Sequence, residues 1–366
     1  MTRPRVAIAH DYLTQRGGAE RVVLALHRAF PEAVVHTLLY DPDATFPEFR
    51  DIPVVTSPLN RVGPARRHHR LALPFLAAAA SRMVVDAEVT VVSSSGWAHG
   101  FDFRGGSVVY CHNPARWLYQ TDDYLGDAAP WAPAAVGLRV LGRPLRRWDA
   151  RAAGGHTQYL ANSTAVRDRI RTAYGRDAPI VFPPMTVDTA GPQEPMATYA
   201  PGFHLIVSRL LPYKNVDAAV AAFADLPDER LLVIGRGPKE ERLRRSLPPN
   251  VGLEGDITDA QLRWAYAHCT ALVAPSIEDY GLTPLEAGAF GKPTLALRHG
   301  GYLDTVAEGV SGLFFERATP ADIAGAVRRS LRTTWDPATI RGHTAQFGED
   351  RFRASIVAEV ERQLDS

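Results

Sequence analysis

A chain of 366 residues is long enough for two domains of ordinary size. With 46% hydrophobic and 22% charged residues it can build large cores, which excludes a disordered chain. A formal net charge of +1 gives no global reason for a nucleic-acid partner, and Cys111 and Cys269 are too few and too far apart for a disulfide framework or a zinc site.

The start, MTRPRVAIAHDYL, runs from basic residues straight into a strand and lacks the apolar core of a signal peptide. The longest apolar run, LALPFLAAAA, contains Pro74 and is too short to span a bilayer. A cytoplasmic location is the expectation. Val6–His10 reads as a buried strand; a short loop with Gly17 and Gly18 follows, and Ala19–Phe30 has helical spacing. Further strands are predicted at Ala33–Leu38, Ile52–Thr56, Val89–Ser93, Ser107–Cys111 and Thr157–Ala161. Helices are predicted at Arg66–Ala80, within Pro133–Ala153 and at Thr164–Tyr174, before a last short strand ending at Val181 and Phe182.

From Thr186 to Gly202 the chain turns to Pro, Gly, Gln and Thr without periodicity, a linker. A second alternation follows. Strands are predicted at His204–Leu210, Arg230–Gly235, Val251–Gly255, Ala271–Ser276, Pro293–Leu297 and Gly312–Glu316. Between them come helices at Val216–Ala224, Lys239–Leu247 and Asp259–His268, one carrying Glu286, and a short one at Thr305–Glu308; a final helix lies near Phe352–Leu364. Strands alternating with helices give an α/β fold class, two Rossmann-like doubly wound domains facing a cleft. The expected spans are 1–187 and 188–347.

Four stretches carry candidate chemistry. In Ser276–Gly301, Glu278 sits on the loop leaving a strand and Glu286 lies one to two turns into the next helix. That strand-to-helix corner is where open α/β sheets bind ligands. The backbone N–H groups of Gly281, Leu282 and Thr283 open the helix and can face an anion. In SRLLPYKN, Arg209 and Lys214 are two cations five positions apart across Pro212, a pair suited to a diphosphate leaving group. In YCHNPARW, His112 follows a strand and can hydrogen-bond a sugar hydroxyl, with Arg116 nearby. In DYLTQRGGAER, Gly17 and Gly18 lack a Cβ and can admit a phosphate or sugar closely. Each stretch also has a bland reading: loop carboxylates, solvated cations, a structural histidine, a glycine turn.

The motifs EDYGLTPLE, Gly300–Gly301 and GVSGLFFE resemble the family 4 glycosyltransferases of GT-B fold, whose signature is E-x7-E. The Arg209 and Lys214 spacing matches that family's R-x4-K pair, and His112 its active-site histidine. CHNPARWLYQTDDYL is similar to bacterial O-antigen and exopolysaccharide mannosyltransferases that use GDP-mannose. The resemblance implies a retaining, metal-independent transfer from a nucleotide diphosphate sugar to a glycan or lipid-linked glycan. It gives Glu278 the donor sugar, with the backbone from Asp279 through Tyr280 to Leu282, and Glu286 the ribose hydroxyls. It places Gly235 and Arg236 near the base or phosphate, Asp256 and Ile257 beside the base, and residues 348–366 back on the first domain as a helix. No cofactor is implied beyond the donor, which is a substrate.

VIGRGPKEERL follows a strand and opens a helix as a dinucleotide fingerprint does, but Glu240 stands where the third glycine belongs. Asp41-Pro-Asp43 matches a short D-x-D metal motif common by chance, and no metal is expected. Arg61, Arg66, Arg67 and Arg70, and then Arg139, Arg143, Arg146, Arg147 and Arg151, form two basic stretches beside apolar residues. They suit an anionic membrane surface or a solvated helix face. Rival functions are a UDP-sugar transferase of the same fold, a GT-B phosphorylase or nucleotide-sugar epimerase, an NAD-dependent enzyme, and a non-catalytic nucleotide-sugar-binding subunit.

Overall fold

The computed structural model describes residues 4–67, 73–121, 133–185 and 187–365. Contacts divide the chain into two compact units, Met1–Pro184 with Glu349–Ser366, and Met185–Gly348. The expected spans 1–187, 188–347 and 348–366 thus shift by one to three residues at each junction.

The first unit is built on strands β1 (Val6–His10), β2 (Val35–Thr37), β3 (Val54–Thr56), β4 (Val89–Ser94), β5 (Gly106–Cys111) and β6 (Gln158–Ala161). All pairings are parallel, in the order β3-β2-β1-β4-β5-β6. The period of two along β1 explains why both faces are covered. Ile8 points to one face with Val91, Val108 and Tyr110, under helix α1 (Gly18–Ala29) and the terminal helix Glu349–Leu364. Ala7 and Ala9 point to the other with Val92 and Val109, under α2 (Pro133–Gly154) and α3 (Thr164–Tyr174). The terminal helix is held by Arg28, whose Nη2 donates to Glu349 Oε2 at 2.7 Å, and by Phe352 set edge-on to Tyr110 at 5.5 Å.

The second unit carries β7 (Phe203–Val207), β8 (Leu231–Ile234), β9 (Val251–Glu254), β10 (Cys269–Ala274), β11 (Thr294–Leu297) and β12 (Gly312–Phe315). They too are parallel, in the order β9-β8-β7-β10-β11-β12. Its helices are α4 (Val216–Ala224), α5 (Glu240–Arg244), α6 (Asp259–His268), α7 (Leu282–Ala289), α8 (Pro320–Leu331) and α9 (Pro337–Ala345). The sequence sets the start of α6: Thr258 accepts the Gln261 N–H and the Gln261 side chain answers the Thr258 N–H, a reciprocal cap. In both sheets the first and fourth strands lie side by side and the winding reverses between them. Ligands bind at the carboxyl ends of strands at such a reversal.

Some element limits differ from expectation. The helix expected over Arg66–Ala80 is described as Gly63–Arg67 and Leu73–Ala80, with residues 68–72 outside the described residues. The predicted helix Thr305–Glu308 is instead Tyr302–Thr305, since Glu308 bridges Gly312 at the start of β12. No helix among the described residues is long and apolar enough to cross a membrane.

Candidate functional site

Every candidate residue of the second unit lies in a loop or helix start that follows a strand's carboxyl end. Arg209 and Lys214 follow β7, Gly235 and Arg236 follow β8, and Asp256 and Ile257 follow β9. Glu278, Tyr280, Gly281, Leu282, Thr283 and Glu286 follow β10. These four strands are neighbours, so residues up to about 77 positions apart (209 to 286) share one edge of one sheet.

The reversal point between β7 and β10 is bridged by an ion pair, Lys214 Nζ to Glu278 Oε1. The same Glu278 oxygen accepts from Ser276 Oγ at 2.8 Å. Ser276 Oγ lies 2.7 Å from the Tyr302 hydroxyl, and Tyr302 also bonds the Thr283 side chain. Tyr302 is fully buried under the loop, where Gly281 is left-handed at φ 91° and any Cβ would press on the tyrosine ring at 2.6 Å. Lys214 is buried with a side chain 9% exposed, while Glu278 is 26% exposed and presents part of its carboxylate to the surface. Glu286, one turn into α7, accepts a 2.6 Å hydrogen bond from the Tyr266 hydroxyl. Burial, with Glu286 beside it, pushes the Tyr266 phenol well above its ordinary pKa, so it stays a donor. Gly281 at the start of α7 offers no side-chain cap.

Arg209 is exposed and reaches only the Tyr213 hydroxyl, at 3.5 Å, among the described residues. Arg236 and Asp256 pair with each other on the surface. Ile257 packs against the core of the unit, and Tyr280 is buried. Gly235 has φ 155°, and a Cβ there would run into the Ser208 carbonyl, so this glycine lets β7 and β8 exit side by side. Its first role is therefore in the fold, which explains a fingerprint-like glycine without a dinucleotide.

In the first unit the reversal point lies between β1 and β4, and it too is bridged by polar side chains. His10 at the end of β1 has Nδ1 3.0 Å from Ser93 Oγ on β4, and Ser93 Oγ lies 2.8 Å from His112 Nε2, just past β5. Burial, and then the charge on nearby His10, lower the His112 pKa to about 3, so the ring is neutral. Gly17 caps α1 in an extended conformation and Gly18 is its first residue. A Cβ on Gly17 would lie 2.6 Å from the carboxylate of buried Glu20, which faces His10. Asp11 ties down the next loop by accepting the N–H groups of Ser95, Trp97 and Ala98 at 2.6, 3.1 and 2.6 Å.

Some of the remaining sequence signals find internal partners and others stay exposed. Asp41 Oδ1 accepts the Asp43 N–H at 3.2 Å and Asp43 pairs with Arg50 at 2.7 Å, a turn held by its own charges. No cluster of three metal-binding side chains occurs among the described residues. Of the basic stretches, Arg146 donates to the Leu118 carbonyl at 2.6 Å and Arg66 lies 3.8 Å from Asp41, so both have internal partners. Arg61, Arg143, Arg147 and Arg151 are exposed; Arg70 and the side chains of Arg67 and Arg139 lie outside the described residues. Arg116 is exposed. Cys111 and Cys269 are free and buried.

Sequence reasoning missed Tyr266, Ser276, Tyr302, His10, Glu20 and Ser93. Ser276 stood two residues before Glu278 and Tyr302 directly after Gly300–Gly301, so position beside a motif was the available signal. Tyr266 is 20 residues from Glu286 and gave no such signal.

Residues 16–190 match the family model for Glycosyltransferase Family 4, and residues 200–341 match that for Glycosyl transferases group 1. A glycogen synthase of Pseudomonas fluorescens is 33% identical over 143 residues, 37% of this chain and 27% of that protein. A D-inositol 3-phosphate glycosyltransferase of Acidothermus cellulolyticus is 34% identical over 176 residues, 42% of this chain and 39% of that protein. The chain thus spans well under half the length of either curated relative. Among solved structures, Anabaena Alr3699/HepE in complex with UDP has a TM-score of 0.71 at 17% identity, covering 98% of this chain and 100% of its own. Its complex with UDP-glucose has a TM-score of 0.70 at 18% identity, with the same coverage. The structural likeness shows the fold, two α/β domains of GT-B type, and the matches together support a family 4 glycosyltransferase.

Proposed function

We propose, from two units that each match a glycosyltransferase family model, that this chain transfers a sugar from a nucleotide diphosphate sugar to a glycan or lipid-linked glycan, with retention and without a metal. The single observation that carries the reading is the Lys214–Glu278 pair across the β7–β10 reversal, with Arg209 and Glu286 on the same sheet edge. In the reaction the bond from the sugar's anomeric carbon to the diphosphate breaks, and its electron pair leaves with a phosphate oxygen. The acceptor hydroxyl oxygen forms the new bond, and its proton goes to the departing phosphate oxygen. Arg209 and Lys214 stabilise the charge on the departing diphosphate, the task a divalent ion performs in other enzymes.

Glu286, oriented by Tyr266, holds the ribose hydroxyls, and Glu278 with the backbone from Asp279 to Leu282 holds the donor sugar. Gly235, Arg236, Asp256 and Ile257 line the nucleotide. Gly17 and Gly18 allow close approach of the substrate, and His112 hydrogen-bonds a sugar hydroxyl. The stretch CHNPARWLYQTDDYL supports mannose from GDP-mannose as the donor. A UDP-sugar is the second reading, favoured by the UDP and UDP-glucose complexes of the Anabaena protein. Exposed Phe75 and Val140, 63% and 68% accessible, with Arg143 and Arg147, support an enzyme that meets an anionic membrane surface bearing its acceptor.

The test is calorimetric titration with GDP and UDP without added metal, followed by donor-hydrolysis assays. GDP preferred, with GDP-mannose consumed, supports the first reading; UDP preferred replaces the donor. Binding of neither, with NADH bound instead, overturns the assignment.

A further inference from the structure

The buried polar chain of the first unit fixes more than the position of His112. His10 is 2% exposed, and its two ring nitrogens face different partners. Nδ1 lies 3.1 Å from the Ser93 carbonyl oxygen and 3.0 Å from Ser93 Oγ, and Nε2 lies 3.9 Å from Glu20 Oε1. A carbonyl only accepts hydrogen bonds, so Nδ1 is best served by carrying a proton, while the carboxylate at 3.9 Å from Nε2 acts through its charge and not through a hydrogen bond. Burial alone would depress the His10 pKa, but Glu20, assisted by Asp11, outweighs it and the pKa is raised, while that of Glu20 is lowered by His10. The two side chains thus favour charge on each other, and both are shielded from solvent.

The consequence passes through Ser93. Its hydroxyl receives the Nδ1–H of His10 and has one proton of its own to direct. The acceptor within reach is His112 Nε2 at 2.8 Å. A neutral imidazole carries one proton, and if Nε2 accepts, that proton is on Nδ1. We infer that His10 and Ser93, backed by Glu20, lock His112 in the Nδ1–H tautomer, so that His112 meets substrate as a hydrogen-bond donor and not as a proton acceptor. His10, Ser93 and Glu20 are positioning residues. The role toward substrate rests on the transferase reading above; the tautomer itself does not.

The experiment is 15N–1H correlation spectroscopy of the full chain labelled at histidine, with His112→Gln used only to assign the His112 ring signals. In the wild type, His112 Nδ1 falls in the protonated range and Nε2 in the unprotonated range. Ser93→Ala moves both nitrogens toward exchange-averaged values, and Ser93→Thr, which keeps the hydroxyl, restores the original pattern. A wild-type Nε2–H tautomer, or signals unmoved in Ser93→Ala, overturns the inference. Once a donor is found, Ser93→Ala lowers kcat about two- to tenfold, the size expected for one neutral hydrogen bond, and Ser93→Thr recovers it. Wild-type kcat in Ser93→Ala rejects the role toward substrate. A protein that turns over no nucleotide sugar leaves the spectroscopic result decisive for the tautomer and refutes only the transferase reading.

Discussion

Replacing Arg209 by alanine isolates the contribution of one cation to nucleotide binding. Arg209 is exposed and its partner among the described residues is the Tyr213 hydroxyl at 3.5 Å, at the limit of a hydrogen bond. Removing it should leave stability within about 0.5 kcal/mol of the wild type, as surface substitutions usually do. Lys214 offers no such clean test, because its removal strands the carboxylate of Glu278 in a mostly buried place. If Arg209 meets the diphosphate, the charge-assisted bond lost is worth roughly 1.5–3 kcal/mol, or about 10- to 150-fold in Kd. The assay is calorimetric titration of wild type and Arg209→Ala with nucleoside diphosphate and with the bare nucleoside, beside a thermal melt of each protein. The expected result is a large loss for the diphosphate, none for the nucleoside and an unchanged melt. An equal loss for both ligands, or no loss for either, refutes the diphosphate role.

Glu286→Ala should weaken nucleotide binding, and Tyr266→Phe should do so by about two- to tenfold, because the phenol orients that carboxylate at 2.6 Å; wild-type Kd in both would remove the ribose role. Glu278→Ala should spare nucleotide affinity and reduce turnover, and single-turnover assays in which it matches the wild type would reject the donor-sugar role. Phe352→Ala should cost about 3–5 kcal/mol in urea unfolding, since the ring is 2% exposed and packs on Tyr110; a loss below about 1 kcal/mol would mean the terminal helix contributes little. Stability should fall as the medium is acidified. Burial is the main cause that holds His112 and His156 at about 3 and about 4, below the ordinary 6.5, so the unfolded chain takes up protons that the folded one refuses. Their contribution is complete above 6.5 and is lost as pH falls toward those values. His10, with a raised pKa, opposes this, since its contribution is present below 6.5 and lost as pH rises. The urea midpoint should therefore drop between about pH 7.5 and about pH 5, less so in His156→Gln, and a flat profile would contradict the assignment of neutral rings.

The alternation of strands and helices was legible because each strand of a sheet covered on both faces is a short apolar run bounded by turn residues, as in Val89–Ser94 and Leu231–Ile234. Two short strands on one side of the first sheet were over-read: Ala33–Leu38 and Ile52–Thr56 shrink to three residues each, because apolar spacing continues past the last ladder bond. The candidate site was legible as residue types at strand ends. What was not legible is which of them touch. That Lys214 meets Glu278 depends on β7 and β10 being neighbours across 64 positions of sequence, which no local pattern encodes. The same holds for His10 with Ser93, 83 positions apart, where neither residue type alone marks a site. Gly235 shows the opposite error, a motif-like glycine whose constraint comes from the Ser208 carbonyl beside it.

The contact between Lys214 and Glu278 also bears on how two cations divide one task. Lys214 is already paired with a carboxylate before any ligand arrives, whereas among the described residues Arg209 reaches only a distant phenol. On the proposed transferase reading, a diphosphate arriving at this edge would engage Arg209 at little internal cost. It can engage Lys214 only by sharing the ammonium with Glu278 or displacing that carboxylate, so part of the Coulomb gain is offset by the pair that is loosened. Arg209 should therefore supply more of the ground-state affinity. Lys214 gains most when charge builds on the phosphate oxygen as the sugar bond breaks, which is where an interaction raises rate and not merely binding. On the proposed reading, the loosened Glu278 carboxylate would then stand beside a sugar that is becoming positive, so that one exchange of partners would serve both ends of the breaking bond.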